Sequence, residues 1–219
     1  MNDFIKVDYE VYTTTYSALK ALNSIEQYEI ALDFETRSHW NNEEIKEAKA
    51  LLKENNLTRE DERLCKLVSN SSGLSFPSIT RTTHMIIGLS ESKSIVIIIS
   101  NEQMEKVMLN WVVNVDKRFI FWNALFDMKL IYVKTRKMVR DYDDGQLFAK
   151  CFLNHVEVWK ANTGLKHLMG EYYHPEWCLI DGYDNEDLKD RKFLRYSAID
   201  GCATYKAWEL LKEMEKEDE

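Results

Sequence analysis

Apolar and polar positions along the chain fall into blocks that switch between a period of two and a helical period. Residues 6–12 alternate as a short strand, and Ala18, Leu19, Leu22 and Ile25 give a helix over 15–27 its apolar stripe. Residues 28–36 read as a strand that is apolar until two acids appear at its end. Two further strands, 83–89 and 94–100, flank the polar turn Ser90-Glu91-Ser92-Lys93. A helix over 102–115 puts Met104, Val107, Met108 and Trp111 on one face. A strand at 118–122 and a helix over 124–133 follow, and Asp143 and Asp144 open a helix reaching Leu153. Residues 163–172 read as a helix, 173–185 as an acidic, aromatic loop and 187–216 as a long helix.

Residues 38–80 break this rhythm. Ile45, Ala48, Leu51 and Leu52 lie on one side of a charged helix, and Thr58-Arg59-Glu60-Asp61 has the form of a capping box before a second one. The segment reads as a helical hairpin inserted between two strands. It is either a solvated excursion or a surface for a substrate or partner. The chain as a whole reads as a single α/β (α+β) domain over 1–219, with a mixed sheet flanked by helices.

Composition narrows the class. Gly and Pro number only 7 and 2, so long linkers are not expected. The net charge of −8 leaves no broad basic surface for duplex nucleic acid, although an enzyme gripping a few nucleotides through metal ions remains open. Cys65, Cys151, Cys178 and Cys202 form no metal-ligand spacing and read as free thiols of a reducing cytoplasm. The longest apolar run, residues 94–99, is too short to span a bilayer, so no membrane association is expected.

Three constellations carry chemistry. In Ile30-Ala31-Leu32-Asp33-Phe34-Glu35-Thr36 the two acids share one strand face. Two like charges held in a dry site call for a cation, whereas a strand end fraying into solvent would leave both hydrated. In Trp122-Asn123-Ala124-Leu125-Phe126-Asp127, Asn123 sits at a natural N-cap. Asp127 either faces inward or simply complements the helix dipole. In Tyr196-Ser197-Ala198-Ile199-Asp200, tyrosine and aspartate share a helix face with Phe193, Ala203 and Ala207. An acid in that stripe is either a ligand or a buried group satisfied by an arginine or a backbone amide. Ala203 and Ala207 are small enough to bring this helix close to a sheet.

Asp-x-Glu, then Asn-x-x-x-Asp, then Tyr-x-x-x-Asp, in this order, resembles the DEDD superfamily of 3′–5′ exonucleases, in its tyrosine-containing subgroup. It looks most like the proofreading domain of family A DNA polymerases. The strand at Ile87-Gly88-Leu89-Ser90 and the helices at Asp144-Gly145-Gln146-Leu147 and Leu165-Lys166-His167-Leu168 extend the likeness. The 38–80 insertion departs from it, and no polymerase domain follows. A stand-alone nuclease, a split polymerase and an excised domain all stay open, with a separate DNA polymerase chain as a candidate partner of the insertion.

The resemblance implies a ribonuclease H-like fold and hydrolysis of the terminal phosphodiester of a single-stranded or frayed DNA 3′ end, with two Mg²⁺ or Mn²⁺ ions as cofactors. Four carboxylates are the hard oxygen donors such ions prefer. By the same resemblance Asp33 bridges the ions, Glu35 and Asp200 complete the water-activating site, and Asp127 holds the second ion. Tyr196 orients the attacking water, with Glu35 helping, because an ordinary tyrosine is a poor base at neutral pH. Thr36 and Asn123 contact the terminal nucleotide. An RNase D-like exoribonuclease shares these motifs and is the alternative. A non-catalytic module binding a polymerase or a DNA end is the alternative from another class.

Overall fold

The computed structural model describes residues 5–38, 80–153, 163–179 and 187–218. The expected helical hairpin at 38–80, and the later part of the 173–185 loop, lie outside them.

Six strands form one mixed sheet in the order β1-β4-β3-β2-β5-β6. They are β1 (Asp8–Tyr12), β2 (Glu29–Ser38), β3 (Thr80–Gly88), β4 (Lys93–Ile98), β5 (Arg118–Phe121) and β6 (Tyr142–Asp144). β2 is central, antiparallel to β3 and parallel to β5. The helices are α1 (Thr15–Asn23), α2 (Glu102–Asn114), α3 (Ala124–Thr135), α4 (Gly145–Phe152), α5 (Leu165–Tyr172) and α6 (Arg191–Asp218). A 3-10 turn over Pro175–Leu179 interrupts what the sequence suggests is a loop.

Alternation along β2 divides the molecule into layers. Ile30, Leu32 and Phe34 point into a core with Leu22 of α1, Met108 of α2 and Leu130 of α3. Ala31 and Asp33 point to the opposite face, where α6 crosses β2, β3 and β4. Behind α6, Ala203, Ala207 and Leu211 pack against Ala149 of α4 and Leu168 and Met169 of α5. The expected α/β fold with a mixed sheet and flanking helices is the one observed.

Differences from expectation sit at element ends and have local causes. α1 stops at Asn23 rather than near Gln27, because Ser24 folds back: its N–H and hydroxyl both donate to the Ala21 carbonyl. Residues 142–144 form an edge strand, so Asp143 lies in β6, while Asp144 opens α4 as its N-cap. β6 pairs only with β5, and three residues are too few to show a period of two. α6 begins at Arg191, where the Asp190 carboxylate accepts from the N–H groups of Lys192 and Phe193. Just upstream, buried His84 of β3 donates from Nε2 to the Leu188 carbonyl at 2.9 Å, pinning the approach to α6 against the sheet.

Two glycines bring the sheet and α6 into close backbone contact. A Cβ on Gly88 of β3 would lie 2.1 Å from the Gly201 carbonyl oxygen of α6. A Cβ on Gly201 would lie 2.6 Å from the Ile86 side chain. Both added atoms would meet neighbours that cannot simply rotate away, so α6 would have to lift. Gly88→Ala should therefore destabilise the fold by about 3 kcal/mol through overpacking. A chemical denaturation curve checks this, and an unchanged midpoint would show that the helix is free to shift.

Candidate functional site

The glycine contact sets Asp200 against the strand that carries the first two acids. Asp200 immediately precedes Gly201 on α6, while Asp33 pairs with Ile86, two residues from Gly88. Glu35 is the next residue on the same face of β2 and is opposite His84. Directly after it the β2–β3 register shifts, with Thr83 as the extra residue. The Thr83 hydroxyl donates to the Glu35 carbonyl at 3.1 Å, fixing the backbone at this bulge.

Asp127 arrives from the neighbouring parallel strand. β5 ends at Phe121, and the chain turns through Asn123 in the left-handed region, with φ of 69°. Asparagine tolerates that conformation better than most residues. Asn123 occupies the N-cap position, as expected, but its side chain makes no capping bond. Asp144, at the end of β6, supplies the cap instead. Its carboxylate accepts from the N–H groups of Asn123 at 3.2 Å, Ala124 at 3.0 Å and Leu147 at 3.1 Å. One carboxylate thereby holds the starts of α3 and α4 together. Asp127, one turn into α3, is 3% exposed, and its Oδ1 is buried without a hydrogen bond.

The acids feel one another. Burial, and then the Asp200 charge, raises the Asp33 carboxyl from its ordinary value of 3.8 to about 7; the Phe34 N–H and Lys166 partly offset this. Asp127 is pushed well above the carboxylate range by burial and then by Asp33, with smaller contributions from Asp144 and Glu35. Asp200 is raised by burial, against the opposing pull of Lys166 and Tyr196. The Tyr196 hydroxyl is raised by burial and by Asp200, Glu35 and Asp33. Asp33 is the hub, coupled to Asp200 on one side and Asp127 on the other.

Lys166 is the cation in this group. Its Nζ donates to the Tyr196 hydroxyl at 2.7 Å, lies 3.7 Å from Asp200 Oδ1 and sits 4.1 Å from the tyrosine ring centroid. The sequence marks Lys166 only as part of a helix, because a lysine one position into a helix looks like surface. A cavity of about 570 Å³ opens beside it, lined by Asp33, Asp200, Trp122, Lys166, His167 and Thr204 among others. The volume lies in the range of small-molecule sites. Of the aromatics available for stacking, Trp122 lines this cavity, whereas Phe34 is core and Tyr172 and Tyr173 are exposed elsewhere. His167 pairs with Glu171 on its own helix. Thr36 lies one residue past Glu35, paired with Thr82, and Asn123 is exposed at the α3 start.

The donor set fits divalent cations in kind. Asp127 Oδ1 and Asp200 Oδ1 are buried oxygens that lack hydrogen bonds, and hard oxygen ligands suit Mg²⁺ or Mn²⁺. The cage is not closed, however. Among the described residues no three His, Cys, Asp or Glu side chains gather tightly enough to hold an ion. Like charges in a dry site repel, and a lysine ammonium already stands against Asp200.

No protein-family model matches the chain, and no curated protein matches it in sequence. Its fold is nevertheless that of several solved nucleases. Brucella melitensis NrnC with bound Mg²⁺ superimposes with a TM-score of 0.58 at 13% identity, over 97% of this chain and 83% of that one. The Aedes aegypti Nibbler EXO domain gives 0.55 at 14%, over 97% and 92%. Trypanosoma brucei RNase D gives 0.57 at 14%, over 94% and 65%. These similarities bear out the ribonuclease H-like exonuclease fold. They do not support a polymerase proofreading domain in particular. Among the described residues no helix is long and apolar enough to cross a membrane.

The raised carboxyls give a pH signature. A carboxyl whose folded pKa lies above its unfolded value stabilises the fold while protonated, and that contribution is lost as pH rises. For Asp33 the loss runs from about pH 4 to about pH 7, with Asp127 adding in the same sense. In EDTA the melting temperature should fall across this window, by an amount equivalent to at most about 4 kcal/mol for Asp33. Asp33→Asn should flatten the profile; a wild-type profile already flat over that range would contradict the coupling.

Proposed function

We propose that the protein is a metal-dependent 3′–5′ exonuclease that removes nucleoside 5′-monophosphates from single-stranded RNA ends. The single observation that carries this reading is that Asp33 of β2 and Asp200 of α6 line one cavity of nucleotide size, with Asp127 of α3 buried and raised by the Asp33 charge. The fold likeness to NrnC, Nibbler and RNase D supports exonucleolysis. The ribonuclease named among them favours RNA over the DNA end that the proofreading resemblance implies. An NrnC structure bound to pGG, matched at a TM-score of 0.59 and 13% identity over 98% of this chain and 83% of that one, points the same way.

Asp33, Glu35, Asp127 and Asp200 would hold the two Mg²⁺ or Mn²⁺ ions. When bound, such a pair neutralises the scissile phosphate and activates a water for in-line attack. Tyr196 orients that water from α6, assisted by Glu35. Because its hydroxyl is raised above the ordinary tyrosine range, it acts as a neutral hydrogen-bonding group rather than as a base. Water adds to the terminal phosphorus, the bond to the 3′ oxygen breaks, and that oxygen leaves as the hydroxyl of the shortened chain. Trp122 offers a flat face in the cavity for the terminal base, a contact that tolerates any sequence. Thr36 and Asn123 contact the terminal nucleotide.

A labelled single-stranded RNA and its DNA counterpart, digested with Mg²⁺ or Mn²⁺, test this directly. Asp33→Ala and Asp200→Ala should lower monophosphate release by several orders of magnitude. Tyr196→Phe should fold normally and lose about a hundredfold or less. Faster cleavage of DNA would return the substrate to the proofreading type, and full activity in Asp200→Ala would remove the site.

A further inference from the structure

Lys166 is built into the carboxylate group in a way that the hydrolytic scheme does not use. An ammonium carries only donors. The hydrogen bond to Tyr196 at 2.7 Å therefore occupies a lone pair of the tyrosine oxygen and obliges the hydroxyl proton to point elsewhere. The same ammonium faces Asp200, one turn further along α6, at 3.7 Å. Lys166 thus reaches both Tyr196 and Asp200 from α5. Both charged groups are mostly buried, with side-chain exposures of 27% for Lys166 and 14% for Asp200. Asp200 Oδ1 has no hydrogen bond of its own, so the ammonium's charge is what faces it.

We infer that Lys166 is the resident counter-cation of the carboxylate group, and that a divalent ion reaches Asp200 only by displacing the Lys166 ammonium from it. The inference rests on the metal-dependent reading above. An ammonium held 3.7 Å from Asp200 Oδ1 repels a divalent ion approaching that oxygen, and poor solvation leaves the repulsion weakly screened. Displacement need not release the tyrosine. The ammonium can keep its bond to the Tyr196 oxygen while Asp200 turns to the incoming ion, so the hydroxyl proton stays directed away from the ammonium. Lys166 is therefore a positioning residue for Tyr196 and, at the same time, a competitor of the metal.

The competition has a readout independent of turnover. Mn²⁺ binding is measured by calorimetry on the full chain for wild type, Lys166→Met, Lys166→Gln and Lys166→Arg, together with melting temperatures in EDTA and in saturating Mn²⁺. Lys166→Met and Lys166→Gln should bind Mn²⁺ about tenfold more tightly or better, because the competing charge is gone. Lys166→Arg should restore wild-type affinity. The two neutral variants should melt lower than wild type in EDTA and close the gap in Mn²⁺. Unchanged or weaker Mn²⁺ affinity in both neutral variants, with folding shown by circular dichroism, would overturn the inference. No Mn²⁺ binding by wild type would instead overturn the metal-dependent reading on which it stands.

Discussion

The structure depends on one close approach, the backbone contact between Gly88 of β3 and Gly201 of α6. A helix carrying side chains at that point would ride higher above the sheet. Here it sinks until a Cβ on Gly88 would be 2.1 Å from a carbonyl oxygen. Asp200 is the residue before that contact, and Asp33 lies on the adjacent strand at the neighbouring level. The same descent brings Tyr196, one turn earlier, over Glu35 and Asp33, whose charges it senses. Without the glycines Asp200 would stand farther from Asp33.

A second fixture sets the remaining acid. Asp144 caps α3 and α4 together, which leaves Asn123 free to adopt a left-handed turn and sends Asp127 inward rather than along the surface. Gly145 follows, so close to Trp122 that a Cβ would lie 2.8 Å from the indole ring. Trp122 in turn donates from Nε1 to the Thr163 carbonyl at 3.1 Å, linking the end of β5 to the segment that leads into α5 and Lys166. The cavity wall is thus assembled from β2, the β5–α3 junction, α5 and α6, each located by a specific contact. Burying like charges there is unfavourable, and their raised pKa values record that strain.

Much of this was legible in the sequence, for identifiable reasons. The period-two run in β2 shows that Asp33 and Glu35 share a face, and the stripe on α6 shows Asp200 pointing inward. What the sequence hides is pairwise. Ala203 and Ala207 suggest a close helix, but the closest contact is Gly201 against Gly88, two residues more than a hundred positions apart. Asn123 reads as a cap because its own position favours it, yet the capping carboxylate comes from Asp144 across the sheet. Lys166 looks like any exposed helix lysine until α5 and α6 are brought together. Choosing RNA over DNA lies beyond the motifs altogether, since on the proposed reading the carboxylates would act on the phosphodiester and not on the sugar.

The central claim is that acids from β2, α3 and α6 form one site for divalent cations, now partly held by a lysine. Anomalous diffraction from crystals grown or soaked in Mn²⁺ tests it most directly. The account predicts manganese in contact with both Asp33 and Asp200, with the Lys166 ammonium moved off Asp200. Crystals with no manganese at these carboxylates, and Lys166 still paired to Asp200 at saturating Mn²⁺, would contradict it.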